Sequence, residues 1–198
     1  MDEIVIRSMA RWPDIPDVYG WLALDRRGNW LVKGLSGRFE RIGNKAVGEF
    51  IGRNYQHDEA GRWFFQNGPQ RVFLTLLGLP LVYRLEGDSV LAHTGASAQS
   101  VTALWLDDAG GVILETELGP GTLDDRDLAL ALSLLRGADG DTPNEQLMSG
   151  VIAGLAGPEL HLLLAGGRVV LGRIAAASMA AHFGVNADPR PPDGQPDC

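Results

Sequence analysis

The sequence predicts an α+β protein with two small β-rich lobes, each built from the same hairpin–loop–helix unit. The motif Leu-Asp-x-x-Gly occurs at residues 24–28 and again at residues 106–110, and short β-rich runs flank it in both places. A Gly-containing loop and then a capped helix pattern follow each hairpin, which indicates one recurring unit. The same order of elements can also recur by chance in a small α+β domain, so duplication and coincidence both stay open.

The first half opens with an extended lead-in over residues 11–18, which contain two prolines. A hairpin is predicted next, because β-rich runs at residues 21–24 and 29–33 flank an Asp/Gly turn. Residues 44–54 place apolar side chains at helical spacing behind an asparagine N-cap. Residues 61–85 then alternate β-rich runs with Gly/Pro turns, which predicts a β-meander.

The second half repeats a hairpin around the turn at residues 107–111. Residues 123–135 are predicted to form a helix in which Asp124 is the N-cap. A second hairpin is predicted around Gly166-Gly167. The Ala-rich residues 174–183 have high helix propensity and predict a final helix.

These elements divide the chain into three predicted parts. The N-terminal α+β lobe spans residues 11–95, and the C-terminal α+β lobe spans residues 96–185. Residues 186–198 are rich in proline and are expected to form a disordered or extended tail.

Composition and charge exclude several classes of function. The chain has 198 residues, 45% of them hydrophobic, a net charge of −8 and a pI near 4.9. This acidic balance argues against a binder of nucleic acid or of anionic lipid, because both depend on Lys and Arg. No apolar run approaches the roughly 18–20 residues that span a bilayer. Cys198 is the single cysteine, and the N-terminus lacks a signal sequence, so we expect a cytoplasmic protein.

The sequence has no recognisable catalytic or metal-binding motif. Its four histidines are scattered without metal-ligand spacing, and neither a nucleophile elbow nor a phosphate-binding loop is present. The acidic residues 124–127 could hold a divalent cation, but helix capping explains them without one. We predict that His161 points outward from a strand. We therefore expect no catalytic residue, no metal and no cofactor, and a binding role rather than an enzyme.

The candidate ligand site lies in the run RNYQHDEAGRWFFQNGPQR, residues 53–71. Strand side chains alternate, so if Trp63 and Phe65 face the core, Phe64 faces outward and needs a cover. Arginines in this run could neutralise an anion, aromatic rings could give apolar contact, and amides at the turn could orient the ligand. The amides could also satisfy turn backbone groups only. The predicted ligand-binding residues are Arg53, Trp63, Phe64, Gln66, Asn67, Gln70 and Arg71, with His93 at the end of a later strand.

Several segments resemble an uncharacterised proteobacterial family, a domain of unknown function. They are GWLALDRRGNW, RNYQHDEAGRWFFQNGPQRVF, LDDRDL and HFGVNADPRPP, and the resemblance covers most of residues 11–192. More distantly, the chain is similar to a second uncharacterised family, which has two small β-rich domains with a repeated motif and a suggested ligand-binding or signalling role. That family has Thr-Pro-x-Glu-Lys where residues 68–71 read GPQR here. The resemblance implies a duplicated α+β fold and no enzymatic activity.

Three functions follow as expectations. The first is a cytoplasmic module that binds a small anionic molecule, or regulates through it, at a site between the lobes near residues 66–71. The alternative is a protein–protein adaptor that uses an exposed Phe64 and the sheet edges. A hydrolase or transferase ranks last, because the sequence offers no paired base and nucleophile.

Overall fold

The computed structural model describes residues 1–12, 15–87, 89–155, 157–164 and 167–192. The chain forms two compact units: unit 1 comprises Met1–Pro80 and Ala180–Cys198, and unit 2 comprises Leu81–Met179. The sequence placed the boundary after residue 95. The structure places it after Pro80, because the strand that begins at Leu81 pairs with a strand of the second sheet.

Unit 1 contains two helices and a mixed sheet. The helices are α1 (Glu3–Arg11) and α2 (Lys45–Arg53), and the strands are β1 (Val18–Leu24), β2 (Trp30–Lys33), β3 (Phe39–Arg41), β4 (Tyr55–His57), β5 (Trp63–Asn67) and β6 (Gln70–Leu76). The strand order is β3-β2-β1-β6-β5-β4. The central strands β1 and β6 are parallel, and the other neighbours are antiparallel.

Helix α2 covers one face of this sheet. The side chain of Asn44 caps its N-terminus by accepting hydrogen bonds from two backbone amides, as the sequence predicts. The core beneath the helix is aromatic: the Phe50 and Phe65 rings meet edge-on at 5.5 Å, and Trp30 meets Tyr55 at 5.0 Å. Large rings therefore fill the space between α2 and the sheet.

Unit 2 contains the remaining strands and two helices, and a third helix begins at its last residue, Met179. The strands are β7 (Leu81–Glu86), β8 (Ser89–Ala92), β9 (Ser97–Ala98), β10 (Val101–Asp107), β11 (Val112–Thr116), β12 (Gly119–Leu123), β13 (Leu135–Arg136), β14 (His161–Leu164) and β15 (Gly167–Ile174); the helices are α3 (Leu128–Leu134), α4 (Glu145–Ile152) and α5 (Met179–His182). The sheet order is β13-β14-β15-β10-β11-β12-β7-β8-β9. The fold is thus α+β and rich in β-structure. None of the helices in the described ranges is long and apolar enough to cross a membrane.

The strand order of unit 1 recurs inside unit 2. Six neighbouring strands of unit 2 lie in the order β13-β14-β15-β10-β11-β12. Read from its other edge, the sheet of unit 1 has the equivalent order β4-β5-β6-β1-β2-β3. The parallel pair β10 and β15 corresponds to β1 and β6. Strands β7 to β9 extend this sheet, and α4 is inserted between β13 and β14.

The two Leu-Asp-x-x-Gly turns have the same local structure. The Asp25 side chain accepts hydrogen bonds from the amides of residues 27 and 29, and Asp107 accepts them from residues 109 and 111. Gly28 has a φ of 77° and Gly110 a φ of 86°, in the left-handed region where glycine is favoured. The predicted hairpin turns at these motifs are therefore present.

Other elements differ from the sequence predictions. Helix α1 was not predicted, and two residues of the predicted lead-in, Pro13 and Asp14, lie outside the described residues. The predicted helix over residues 174–183 is reduced to α5 and a short 3-10 turn, because strand β15 continues to Ile174. The predicted turn at Gly166 also lies outside the described residues.

The segment that follows α5 returns to unit 1. The Asn186 amide donates to the carbonyl of Gly61, and the Leu76 amide donates to the carbonyl of Ala187. Pro189 is buried. A disordered or extended tail was expected from residue 186; residues 186–192 lie against the rest of unit 1, where the backbone groups of residues 186 and 187 form hydrogen bonds. Residues 193–198 lie outside the described residues.

The outward orientation predicted for His161 is wrong. Its side chain is buried, with 4% of the residue exposed, and its Nδ1 has no hydrogen-bond partner among the described residues. Strand alternation does not decide whether a side chain is covered: His161 is buried although its cross-strand partner Val170, on the same face, is 49% exposed. Desolvation, and secondarily the charge of Arg168, lower the pKa of His161 below its ordinary value.

We therefore expect unit 2 to lose stability in mild acid. Since the pKa of His161 is lower in the folded chain than in the unfolded chain, the unfolded state binds more protons below about pH 6.5, and stability falls as pH falls. Urea unfolding at pH 7.5 and pH 5.5 measures this loss. His161→Leu should reduce this loss, and an unchanged loss in His161→Leu would contradict the assignment.

Candidate functional site

The candidate site lies on the sheet face of unit 1 that is opposite α2. In the β5–β6 hairpin, Phe64 pairs with Phe73 and Gln66 pairs with Arg71. Side chains of paired residues project from the same face, and side chains alternate along each strand. The face therefore carries Phe64 and Gln66 from β5 and Arg71 and Phe73 from β6. We call it the aromatic face.

Three rings form the apolar part of the aromatic face. Tyr19 stacks on Phe73 with ring centroids 4.8 Å apart and planes at 10°, and Phe64 lies 5.4 Å from Phe73. All three side chains are buried. The expectation that Phe64 is exposed is wrong, because neighbouring rings and an arginine of the same unit cover it. The exposed apolar patch expected for an adaptor is therefore not present at Phe64.

Two arginines lie over these rings. The Arg62 Cζ is 4.7 Å from the centre of the Phe73 ring, and the Arg71 Cζ is 4.9 Å from the centre of the Phe64 ring, which is cation–π geometry. Arg62 also pairs with Asp58, with 2.6 Å between Nη2 and Oδ2. Arg71 is exposed, and among the described residues no carboxylate pairs with it.

The Arg62–Asp58 pair is a stable ion pair. Burial raises the pKa of Asp58, but hydrogen bonds from the Arg62 side chain and from backbone amides outweigh it and leave the pKa below its ordinary value. Asp58 therefore stays ionised and neutralises Arg62. The positive charge available on this face is consequently that of Arg71.

Gln66 lies beside Arg71 and is almost completely buried, with 1% of the residue exposed. Its Nε2 donates to the carbonyl of Gly68 at 2.9 Å. Its Oε1 is buried and has no hydrogen-bond partner among the described residues. A buried amide oxygen without a donor is costly, and such groups occur where a ligand or water supplies the donor.

The other predicted residues lie apart from this arrangement. Arg53 donates hydrogen bonds to the carboxylate of Asp2, so its charge is already paired. Trp63 is on the opposite face of β5, where its ring contacts Tyr55 and His57. Asn67 is exposed at the turn, and the Gln70 side chain donates a hydrogen bond to the carbonyl of Pro16. His93 belongs to unit 2, where its Nδ1 accepts a hydrogen bond from the amide of Val82.

The structure adds residues that were not predicted for the site, namely Tyr19, Arg62 and Phe73. The alternation Arg-x-Phe-x-Gln at residues 62–66 and Arg-x-Phe at residues 71–73 is a signal that could have identified two of them. Tyr19 gives no such signal, because its position depends on the irregular register between β1 and β6. Within the described ranges, no group of three or more His, Cys, Asp or Glu side chains is arranged to hold a metal ion.

Comparisons with known proteins identify a family and a fold. The model of the DUF2944 family, described as "Protein of unknown function (DUF2946)", matches residues 1–190. No curated protein matches the chain. A solved structure of a DUF1285 family protein from Silicibacter pomeroyi DSS-3 is similar with a TM-score of 0.53 and 14% identity, over 83% of this chain and 86% of that chain. At this identity the likeness shows a shared fold alone.

Proposed function

The chain belongs to the DUF2944 family of proteins of unknown function, and we propose that it is a module that binds a small anionic molecule on the aromatic face of unit 1. The observation that supports this proposal best is the exposed guanidinium of Arg71 over the Phe64 ring, without a carboxylate partner among the described residues. A guanidinium held in one orientation is suited to a planar anion, which it can bind with two parallel hydrogen bonds.

We propose that the ligand is an aromatic carboxylate, and the groups beside Arg71 support this choice. The cation–π contact places the Cζ of Arg71 4.9 Å from the centre of the Phe64 ring, and the exposed N–H groups of its guanidinium would bind the oxygens of the ligand. A ring attached to the carboxylate could rest against the exposed stem and plane of Arg71. The buried Oε1 of Gln66 would accept a donor from the ligand or from a bridging water. Asn67, exposed at the turn, would contact the rim of the ligand.

The test is ligand-induced thermal stabilisation, measured with benzoate and with inorganic phosphate as probes. We expect benzoate to raise the melting temperature of the wild-type protein more than phosphate does. Arg71→Ala should weaken benzoate binding about 10-fold to 100-fold, the loss expected for a charge-assisted hydrogen-bond pair.

Arg38→Ala is the matched control, because it removes the same charge from another exposed position of unit 1. It should leave the benzoate response unchanged. Two outcomes would contradict the site assignment. In one, benzoate and phosphate stabilise Arg71→Ala as strongly as they stabilise the wild type; in the other, neither stabilises the wild type.

The burial of Phe64 favours this proposal over the adaptor alternative, which relied on an exposed Phe64.

We also propose a regulatory role in the cytoplasm, supported by the single cysteine of the sequence. A binding module without enzymatic activity fits regulation, in which the ligand reports a metabolic state by stabilising one form of the protein.

We further propose that the two units descend from one duplicated structural unit. Three features support it: the shared order of six strands, the parallel central pair in each sheet, and the Leu-Asp-x-x-Gly turn between β1 and β2 and again between β10 and β11. The inserted helix α4 distinguishes the second copy from the first.

A further inference from the structure

Unit 2 contains an apolar cavity of about 180 Å³ between the sheet and helices α3 and α4. The sheet and the loop after β10 contribute one part of its wall, and the two helices contribute the other. The lining residues are Leu104, Leu106, Gly110, Val112, Leu135, Leu162 and Leu171 from the sheet side, and Leu128, Ala131, Leu132, Met148 and Ile152 from the helices. No lining side chain carries a polar hydrogen-bonding group.

The cavity exists because unit 2 has smaller side chains than unit 1 at corresponding positions of the two sheets. Trp30 pairs with Leu24, the residue before the Asp25 turn. Val112 pairs with Leu106, the residue before the Asp107 turn, so Val112 occupies the position in unit 2 that Trp30 occupies in unit 1. The pair Tyr55 and Phe65 of unit 1 corresponds in the same way to Leu135 and Leu162 of unit 2.

Three ring positions beneath α2 are therefore occupied by smaller aliphatic residues beneath α3 and α4. All three of these residues, Val112, Leu135 and Leu162, line the cavity. In unit 1 the corresponding rings fill the space, because Trp30 meets Tyr55 and Phe65 meets Phe50. The cavity of unit 2 is thus the volume that aromatic side chains occupy in unit 1.

The position of α4 gives the cavity an opening. None of the residues of α4 is fully buried, although Met148 and Ile152 line the cavity. Ile152 is 47% exposed and Leu132 of α3 is 44% exposed, so each contacts both the cavity and the solvent. The two side chains therefore mark the side of the cavity that opens to solvent, which we call the entrance.

The lining determines the class of ligand. A buried water needs two to four polar partners, and this lining offers none, so the cavity does not favour water. A dry cavity of about 150 Å³ lined by aliphatic and aromatic side chains is known to bind benzene. By that measure the cavity of unit 2 accepts a hydrocarbon group of about six to eight carbon atoms.

We propose that unit 2 binds the hydrocarbon ring or chain of a small apolar molecule in this cavity, between α3, α4 and the sheet. This site is independent of the anion site of unit 1, since none of its lining residues belongs to that unit. A polar end of the ligand would remain at the entrance beside Leu132 and Ile152, and the hydrocarbon part would replace the missing rings.

The test uses toluene and a series of straight-chain alcohols from butanol to dodecanol as probes. In the wild-type protein we expect saturable shifts of the methyl resonances of Leu104, Leu135 and Leu162 on addition of toluene. We expect the affinity of the alcohols to increase to a length of about six to eight carbons and then to level off, because longer chains extend beyond the cavity. Absence of saturable shifts in the wild type would overturn the proposal.

A matched pair of variants locates the site. Leu162→Phe places in the cavity the ring that unit 1 carries at the corresponding position, and should reduce toluene affinity at least 10-fold. Leu163→Phe makes the same change at the next residue, which is 41% exposed and does not line the cavity, and should bind toluene as the wild type does. Ala131→Leu fills the cavity from the helix side and serves if Leu162→Phe does not fold.

Two results would overturn the location of this site. One is equal toluene affinity in the wild type and in a folded filling variant. The other is loss of toluene binding in Arg71→Ala, which should bind it normally because toluene is uncharged. The converse result, loss of benzoate binding in Arg71→Ala with toluene binding intact, would confirm two separate sites.

Discussion

Replacing Gly61 with alanine is expected to destabilise unit 1 by about 3 to 4 kcal/mol and to detach the segment that follows α5. Gly61 has a φ of 69°, and a Cβ at this position would lie 1.7 Å from the carbonyl oxygen of Gly184. The left-handed conformation costs an alanine about 1 to 2 kcal/mol. The clash is with backbone, so relief requires the segment to move and to lose its hydrogen bonds to Gly61 and Leu76.

Urea unfolding measures the loss, and Gly37→Ala is the matched control. Gly37 has a φ of 75°, and no atom lies within 4 Å of the position of its Cβ. Gly37→Ala should therefore show the conformational cost alone, about 1 to 2 kcal/mol. Gly61→Ala should also become sensitive to proteolysis within residues 184–192. Equal losses in the two variants would mean that the segment does not pack against Gly61.

Replacing Asp127 with asparagine is expected to destabilise unit 2 by about 2 to 3 kcal/mol. Asp127 is 7% exposed, and its carboxylate accepts hydrogen bonds from Nε and Nη2 of Arg84, at 2.5 and 3.0 Å, and from the amide of Leu85 at 2.9 Å. The side chain of an asparagine has one acceptor oxygen, and its NH2 group would face one of these N–H donors of Arg84 or Leu85. The contact between the start of α3 and strand β7 is therefore lost.

The pH dependence of this interaction has a definite sign. The hydrogen bond from Arg84 is the main cause that lowers the pKa of Asp127 in the folded chain. The contribution of Asp127 to stability is therefore complete above the ordinary aspartate pKa of about 3.9, and is lost as pH falls through the lower pKa of the folded state. Asp125→Asn, at an exposed neighbouring position, should change stability little. A similar loss in both variants would contradict the role of Asp127.

Features that depend on neighbouring residues could be predicted from the sequence. The turns at Asp25 and Asp107 form because each aspartate accepts amides two and four residues ahead and a glycine adopts a positive φ. Helix α2 begins at Asn44 for a similarly local reason. Helix α1 has weaker local signals: the Asp2 side chain makes no capping hydrogen bond, and the helix buries Val5 alone.

The candidate site could be predicted only in part. Alternation along β5 correctly separated Phe64 and Gln66 from Trp63 and Phe65, because a strand directs successive side chains to opposite faces. Whether a face is covered does not follow from alternation. The burial of Phe64 depends on Phe73 and on Arg71, which the β5–β6 register places beside it.

The sequence by itself determined that this is an acidic α+β protein, with hairpins at Asp25 and Asp107 and a helix that begins at Asn44, because each of these properties depends on composition or on residues close in the chain. The tertiary structure alone decided the parallel pairing of β1 with β6 and of β10 with β15, since these strands are joined by long connections. It also decided the return of residues 186–192 to unit 1. The cavity of unit 2 exists for the same reason: three positions far apart in the sequence meet in one core, and all three are too small to fill it.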